Sequence, residues 1–273
     1  MKKTVIFMML LPLMCACSKS PKVSTLEGTD IELVRVASDG TVFGLMDNAE
    51  ERKHPAALFD APDSLMAALG LQDGVASSVR AYIIKVDREA SSGCVLIDAG
   101  LGGMANGQIL NQLNELKLTP DMIEHIFLTH MHGDHIGGLI SNGAAVFKNA
   151  ELWLSADEFA FWNKEENALQ QTVFQAYAGK VHLFNPGDEL PLGIEGIAAP
   201  GHTPGHVAFR YGDVMIIGDA IHGWDLQNSY PEYCARFDMD KEQAVETRKA
   251  LLEKCRKEHL LIGGMHLPKA FEN

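Results

Sequence analysis

The sequence predicts an α/β fold for a single domain that spans residues 31–273. Short apolar segments of strand length recur along the chain, and longer segments place apolar residues at helical spacing. No Gly/Ser-rich linker and no tandem repeat separates these segments. Hairpin patterns at the beginning and in the middle argue against a simple alternation of strands and helices. The length of 273 residues is sufficient for one large hydrophobic core.

The first half of the domain is predicted to consist of hairpins followed by a strand that leads into a histidine cluster. Asp39 and Gly40 form a turn dipeptide between two strand patterns. In chain order we expect strands at 31–36 and 41–46, a short helix at 64–71, strands at 79–86 and 94–97 around a loop at 87–93, a helix at 109–116 and a strand at 124–129.

The second half continues with short strands and two helices that have clear start signals. Ser155 and Glu158 have the spacing of a capping box, which predicts a helix after the strand at 151–154. Asp240 caps a long helix that continues to about residue 257. The remaining expected strands lie at 181–184, 194–198, 207–211, 214–217 and 260–263.

Composition and charge exclude several classes of function. Hydrophobic residues make up 47% and charged residues 22% of the chain, which excludes a disordered protein. The formal net charge of −13 repels phosphate backbones, so nucleic acid is not an expected partner. No apolar run reaches the roughly 18 residues of a transmembrane helix.

The N-terminus predicts a signal for export. Lys2 and Lys3 precede a short apolar run, and residues 14–17, Met-Cys-Ala-Cys, resemble a bacterial lipobox with Cys17 as the lipidated residue. We therefore expect a lipoprotein signal peptide at 1–17, a polar tether at 18–30 and membrane contact only through the lipid on Cys17. The protein would then be a periplasmic or outer-membrane lipoprotein of a bacterial cell envelope. The alternative is an ordinary secretory signal.

The strongest chemical signal is a cluster of histidines directly after a predicted strand. Residues 129–138 read Thr-His-Met-His-Gly-Asp-His-Ile-Gly-Gly and contain His130, His132, Asp134 and His135. Imidazole and carboxylate groups are ligands that suit zinc and similar ions. His130 and His132 alternate in an extended segment, so their side chains can reach one point. Asp134 and His135 turn toward a second point.

Four further short pieces supply candidates to complete two metal sites. Asp98 and Asp219 each follow an apolar strand pattern, His202 lies in a loop held by Gly and Pro, and His266 follows the last predicted strand. Ligands and catalytic groups of α/β proteins collect at strand ends. The three cysteines of the domain, Cys94, Cys234 and Cys255, have no C-x-x-C spacing and predict neither a disulfide framework nor a thiolate site.

Together these motifs resemble the metallo-β-lactamase-fold hydrolases over residues 76–268. The resemblance implies a four-layer αββα sandwich with a dinuclear metal site, most simply two Zn²⁺ ions, in a cleft at one edge. It assigns His130, His132 and His202 to one ion and Asp134, His135 and His266 to the other. It also makes Asp219 the bridging ligand and Asp98 the residue that orients a ligand histidine.

Two branches of that family remain close to this sequence. Asp219 argues against a true β-lactamase, because the penicillin-hydrolysing members have Cys or no carboxylate there. Quorum-quenching lactonases match the ligands but carry Tyr where this chain has His222. The methyl-parathion-hydrolase-like branch resembles more of the chain, including 201–206, 218–222, 237–240 and 264–268. The segment 269–271, Lys-Ala-Phe, departs from that branch.

The resemblance implies hydrolysis of small esters, lactones or phosphotriesters by a hydroxide that the two ions share. Asp134 and Asp219 would orient the hydroxide, and His222 would donate a proton to a poor leaving group or be structural. We expect Trp162 to line the substrate pocket. The alternative functions are a β-lactamase-like amidase and a non-catalytic zinc-binding lipoprotein. The sequence does not decide between a monomer and a homodimer. The histidines expected on the surface are His54, His125, His182 and His259, whereas His206 is expected to be structural.

Overall fold

The computed structural model describes residues 21–36, 40–48, 50–88 and 91–273. The predicted signal peptide with Cys17 and the turn residue Asp39 lie outside these residues. None of the helices in the described part of the chain is both long enough and apolar enough to cross a membrane.

The strands are short, and most of the predicted ones are present within a few residues. They are β1 Val23–Thr25, β2 Glu32–Val36, β3 Gly40–Met46, β4 Arg52–His54, β5 Val75–Ser77, β6 Arg80–Arg88, β7 Ser91–Ile97, β8 His125–Phe127, β9 Ile140–Ser141, β10 Ala144–Ala145, β11 Glu151–Ser155, β12 Val181–Phe184, β13 Glu195–Ala198, β14 Val207–Tyr211, β15 Val214–Ile216 and β16 Leu261–Gly263.

The helices are also mostly short, apart from the last one. They are α1 Asp63–Ala68, α2 Ile109–Glu115, α3 Gly133–Ile136, α4 Ala156–Trp162, α5 Ala168–Ala176, α6 Trp224–Gln227 and α7 Lys241–Glu258. The Asp240 side chain caps α7 by accepting a hydrogen bond of 3.0 Å from the backbone N–H of Gln243, as the sequence predicted.

Two sheets form the centre of the domain. The larger one has the strand order β1-β2-β3-β6-β7-β8-β11-β12, and the smaller one has the order β13-β14-β15-β16. Strands β7, β8, β11 and β12 run parallel, whereas the hairpins at the start of the chain are antiparallel. This mixture agrees with the hairpin patterns of the sequence.

Three hydrophobic clusters show that the fold has four layers. One cluster joins α2 and α5 to the outer face of the large sheet through residues such as Leu113 and Val173. A second lies between the two sheets and contains Phe127 and Phe209. A third joins the small sheet to α7 and includes Leu252. The order helices, sheet, sheet, helix is the predicted αββα sandwich.

Two local expectations were wrong. The loop expected at 87–93 is largely strand, because β6 continues to Arg88 and β7 begins at Ser91. The tether expected at 18–30 is not wholly separate from the domain, since β1 pairs with β2 and extends the large sheet. Backbone hydrogen bonds along an open sheet edge can recruit a polar segment, which side-chain patterns do not reveal.

The strand ends converge where the two sheets meet. Asp98 directly follows β7, and the histidine cluster follows the parallel neighbour β8. In the small sheet, β15 precedes Asp219, and its parallel neighbour β16 precedes His266. Because the carboxyl ends of parallel strands lie at the same edge, these residues are brought together from distant parts of the chain.

Candidate metal centre

Four ligand atoms form a first cluster. Nε2 of His130 and Nε2 of His202 each lie 2.9 Å from Nδ1 of His132. Oδ2 of Asp219 lies 3.4 Å from Nε2 of His202 and 3.8 Å from Nε2 of His130. Four ligands bound tetrahedrally at about 2.1 Å from an ion lie about 3.4 Å from one another. The spacing of this cluster therefore suits a single small cation.

A second cluster adjoins the first. Nε2 of His266 lies 3.4 Å from Oδ2 of Asp134, and Nε2 of His135 lies 3.8 Å from Oδ1 of Asp134. Asp219 contacts both histidines, with Oδ1 at 3.2 Å from Nε2 of His135 and Oδ2 at 3.1 Å from Nε2 of His266. One carboxylate is thus shared by the two clusters, as the resemblance implied. All seven predicted ligands are brought together.

The loop that carries Asp219 is fixed by His206. The backbone N–H of Asp219 donates a hydrogen bond of 3.0 Å to Nε2 of His206, whose Nδ1 lies 3.0 Å from the carbonyl oxygen of Ala199. Gly218 has a φ of 54°, and a Cβ at this position would lie 2.4 Å from Nε2 of His206. Only glycine fits there. His206 therefore has a structural role, as predicted.

Three ligand histidines are oriented by an acceptor at the ring nitrogen opposite the cluster. Nδ1 of His135 lies 2.6 Å from Oδ2 of Asp98, and Nδ1 of His266 lies 2.8 Å from the carbonyl oxygen of Ser78. Nδ1 of His202 lies 3.2 Å from Oδ1 of Asp238. Such contacts hold the ring and direct its other nitrogen toward an ion.

A buried arginine completes the support of His202. Nη2 of Arg248 donates to Oδ2 of Asp238 at 2.9 Å, and its Nε donates to the carbonyl oxygen of Ala220 at 2.7 Å. Burial would raise the pKa of Asp238, but its contacts with His202 and Arg248 lower it to about 2. Asp238 is therefore an ionised acceptor behind His202. Through Arg248, helix α7 is connected to the centre.

The electrostatics of the centre depend on burial and on close opposite charges. Burial lowers the pKa of His130 and lowers that of His132 to about 4, which keeps both imidazoles neutral as metal binding requires. Burial would raise the pKa of Asp219, but His135 and other imidazoles hold it well below its usual range. Asp219 raises the pKa of His135 against the effect of burial.

Unpartnered polar atoms indicate what the centre is built to hold. Among the described residues, the buried side-chain nitrogen and oxygen atoms that form no hydrogen bond of good geometry are Nε2 of His54, Nε2 of His135, Oδ1 of Asp219 and both ring nitrogens of His222, although the atoms of His135 and Asp219 lie 3.2 Å apart. Each such atom costs about 1–3 kcal/mol if nothing satisfies it. Two of them belong to predicted ligands. The donor set and these atoms fit divalent cations.

His222 and His54 lie beside the second cluster. Nε2 of His222 is 3.3 Å from Oδ2 of Asp219, and its ring stacks on that of His266 with centroids 5.3 Å apart. The ring of His54 packs edge-on to His266 at 5.2 Å and to Phe237 at 6.4 Å. The expectation that His54 is a surface residue was wrong, because β4 pairs with β5 and brings its side chain against the centre.

Trp162 lies beside the first cluster. Its ring meets the ring of His132 edge-on, with centroids 5.5 Å apart. The side chain is partly exposed, and its place in the substrate pocket stays a prediction. Its indole N–H donates a hydrogen bond of 2.6 Å to Oε1 of Glu158.

The comparisons with known proteins agree with this geometry. A family model described as the metallo-beta-lactamase superfamily matches residues 75–254. The chain belongs to the metallo-β-lactamase superfamily. It is 26% identical over 202 residues to the N-acyl homoserine lactonase of Bacillus thuringiensis, covering 64% of this chain and 76% of that protein. It is also 30% identical over 158 residues to a probable metallo-hydrolase of Methanocaldococcus jannaschii, covering 58% of this chain and 64% of that protein.

Two solved structures have the same fold. The hydrolase AbOPH of the beta lactamase superfamily has a TM-score of 0.74 at 27% identity, covering 88% of this chain and 91% of that chain. The dizinc quorum-quenching lactonase AidC has a TM-score of 0.72 at 21% identity, covering 91% of this chain and 92% of that chain. The second likeness shows the metallo-β-lactamase fold alone.

The histidine motifs of this superfamily were visible in the sequence, but several supporting residues were not. Asp238 lies in the segment 237–240, which resembles the methyl-parathion-hydrolase-like branch but contains no predicted ligand. The backbone carbonyl of Ser78 lies against His266, and its hydroxyl donates to the carbonyl oxygen of Leu267 at 2.6 Å, but no local motif predicts either contact. His54 lacks a nearby motif partner, and only the pairing of β4 with β5 shows its place.

Proposed function

We propose that this protein is a metal-dependent hydrolase that cleaves small esters, lactones or phosphotriesters and belongs to the methyl-parathion-hydrolase-like and lactonase-like branch. The observation that carries the proposal is the pair of adjoining ligand clusters that share Asp219, with buried atoms of His135 and Asp219 left unsatisfied. The lactonase of Bacillus thuringiensis is a sequence relative and supports the substrate class.

The residues present would hold two divalent cations, which we propose to be Zn²⁺. His130, His132 and His202 would bind one ion, Asp134, His135 and His266 the other, and Asp219 both. Such ions polarise a carbonyl or phosphoryl oxygen and lower the pKa of water so that it attacks at neutral pH.

The carboxylates of the chain orient the attacking water. The Asp134 side chain is 31% exposed, whereas that of Asp219 is 3% exposed, so Asp134 faces the cleft and Asp219 lies beneath it. Burial would raise the pKa of Asp134, but His135 and His266 lower it, which keeps the side chain an acceptor. We propose that Asp134 accepts a hydrogen bond from the attacking water and fixes its direction.

His222 is the side chain that can assist the departure of the leaving oxygen. Both of its ring nitrogens are buried without a hydrogen-bond partner, and one of them lies beside Asp219. A phenolate leaves without assistance, but an alkoxide needs a proton. Because burial lowers the pKa of His222, its ring is neutral, and we propose that a ring N–H donates a hydrogen bond that stabilises the charge on such a leaving oxygen.

The rim of the cleft favours an apolar substrate. Phe237 is 51% exposed and contacts the rings of both His54 and His222. Trp162 lies beside the first cluster. Apolar walls with a few polar groups are typical of small-molecule sites. We propose that Phe237 and Trp162 bind the apolar parts of the substrate and that Nε2 of His54 forms a hydrogen bond with it.

Turnover of four substrates tests the proposal. An aryl ester, an acyl lactone, an aryl phosphotriester and a chromogenic cephalosporin would each be assayed with the Zn²⁺-loaded protein, with and without a chelator. We expect chelator-sensitive turnover of at least one of the first three. Turnover of the cephalosporin alone would instead support a β-lactamase-like amidase. No turnover of any of the four substrates by the protein with two ions bound would support a non-catalytic zinc-binding protein.

We also propose that the protein is a lipoprotein of a bacterial cell envelope, attached through Cys17. The support is the lipobox-like sequence at 14–17 and the polar segment that follows it. Fractionation of cells that express the full chain and its C17S variant would test this. We expect the native chain in the membrane fraction with an added lipid mass, and the variant in the soluble fraction. An unmodified native chain in the soluble fraction would contradict the proposal.

A further inference from the structure

Glu158 is a fully buried carboxylate whose role was not apparent from the sequence. Its spacing from Ser155 predicted a capping box, and half of that box forms, because the backbone N–H of Glu158 donates to Oγ of Ser155 at 3.1 Å. The Glu158 side chain does not complete the box. It turns into the protein toward the first ligand cluster.

Four donors converge on this carboxylate. Oε1 accepts hydrogen bonds from the backbone N–H of Met131 at 2.9 Å and from the indole N–H of Trp162 at 2.6 Å. Oε2 accepts hydrogen bonds from the hydroxyl of Thr203 at 2.7 Å and from the backbone N–H of Gly205 at 3.2 Å. Burial of a carboxylate is costly unless it is hydrogen-bonded, and here both oxygens are satisfied twice.

Three of the four donors belong to the two loops that carry the histidines of the first cluster. Met131 lies between His130 and His132, and Thr203 directly follows His202. Glu158 therefore spans the gap between the large sheet, which supplies the first loop, and the small sheet, which supplies the second. Gly205 packs closely against the same helix, since a Cβ at this glycine would lie 2.0 Å from the backbone nitrogen of Glu158.

The second cluster has separate supports. Asp98 holds His135, and the carbonyl oxygen of Ser78 holds His266. Neither contact involves Glu158. We therefore expect a change at Glu158 to disturb the first cluster more than the second.

We propose that Glu158 is a positioning residue that fixes the distance between the His130/His132 loop and the His202 loop, and so sets the metal affinity of the first cluster selectively. The proposal rests on the metal-binding part of the proposed function. Partners that orient ligands typically contribute about 10–100-fold to metal affinity. Because Oε1 also holds Trp162, the same carboxylate connects a cleft wall to the ligand loops.

The test compares E158Q with D157N, which removes the adjacent exposed carboxylate on the same helix. Zn²⁺ affinity would be measured by competition with a chromophoric chelator, and the melting temperature of the metal-free protein would be recorded. We expect E158Q to weaken one of two bound equivalents by about 10–100-fold, because one acceptor becomes a donor facing N–H and O–H groups. D157N should bind both equivalents as the native protein does.

Two further variants, each with one cluster impaired, show which cluster binds the weakened Zn²⁺ equivalent. In an H266A background, which impairs the second cluster, E158Q should still weaken the remaining equivalent. In an H132A background, which impairs the first cluster, E158Q should leave the remaining affinity unchanged. Equal weakening in both backgrounds, or no weakening in either, would overturn the proposal.

A second variant separates positioning from folding. T203V removes one hydroxyl donor to Glu158, whereas T203S keeps it, and we expect weaker binding at the first cluster only for T203V. If E158Q does not fold, the comparison of T203V with T203S tests the proposal instead. Equal Zn²⁺ affinities of these two variants would overturn it. Because no readout depends on turnover, a protein that hydrolyses none of the substrates would reject the hydrolase function while leaving this inference intact.

Discussion

Nδ1 of His135 lies 2.6 Å from Oδ2 of Asp98, and both side chains are fully buried. Asp98 also accepts hydrogen bonds from the backbone N–H and the hydroxyl of Thr129 at 2.8 and 2.7 Å. The carboxylate thus joins the end of β7 to the loop after β8. Its hydrogen bond fixes which nitrogen of His135 faces the second cluster.

The variant D98N should therefore weaken the second cluster. An amide can present its NH₂ to Nδ1 of His135, which favours the wrong tautomer and turns the ring. We expect about 10–100-fold weaker binding of one Zn²⁺ equivalent, measured by chelator competition. The exposed carboxylate of Asp87 provides a control in D87N, which should bind normally. Equal affinities of D98N and D87N would show that Asp98 does not orient the ligand.

Among the carboxylates of the centre, replacement of Asp219 should reduce activity the most. An amide in D219N has one weak oxygen ligand and cannot serve both clusters. We expect kcat/KM to fall about 100-fold or more, together with loss of at least one metal equivalent measured by elemental analysis. The matched control is D225N, at an exposed position on α6. Full metal content with native turnover would refute the bridging role.

His222 should matter in proportion to the basicity of the leaving group. In H222F no ring N–H can donate to the leaving oxygen, so kcat should fall about 100-fold or more for alkyl esters and little for nitrophenyl esters. The measurement is the dependence of kcat on the leaving-group pKa for a series of esters. The same loss for all leaving groups would indicate that His222 is structural.

His54 should affect substrate binding without affecting the ions. H54F keeps an apolar ring beside Phe237 but removes Nε2, and loss of one hydrogen bond of about 1.4 kcal/mol corresponds to a tenfold lower kcat/KM. Metal content should stay at two equivalents. The control is H182F, where the half-exposed ring contacts Glu151 on β11. Unchanged kcat/KM in H54F would exclude a hydrogen bond to the substrate.

Arg248 should contribute strongly to stability. Its side chain is fully buried, and R248M would leave Asp238 as a buried charge without its cation. We expect the free energy of unfolding to fall by about 3–5 kcal/mol, measured by chemical denaturation. The exposed neighbour gives the control K249M, which should change stability by less than about 0.5 kcal/mol. A native-like R248M would show that Asp238 is neutralised in another way.

The fold and the metal ligands could be predicted because both depend on patterns of residues that are close together in the sequence. Apolar alternation located most strands, and the seven ligands lie in short motifs at strand ends. The residues that support them were harder to find. Asp238, Glu158 and His54 act on loops far away in the sequence, and their partners are largely backbone groups or rings of other motifs. Such long-range contacts produce no pattern in the spacing of residues along the sequence. A helix cap or a strand, in contrast, depends on residues that are close together in the sequence.

The joint between the two sheets has a consequence for assembly. The first cluster takes His130 and His132 from the large sheet and His202 and Asp219 from the small one. The second cluster needs His266, which follows β16 of the small sheet, together with His135 from the large sheet. Neither cluster is therefore complete until the two sheets have packed together. Ions that bind at the centre would enter after this packing step and would then hold the two sheets together.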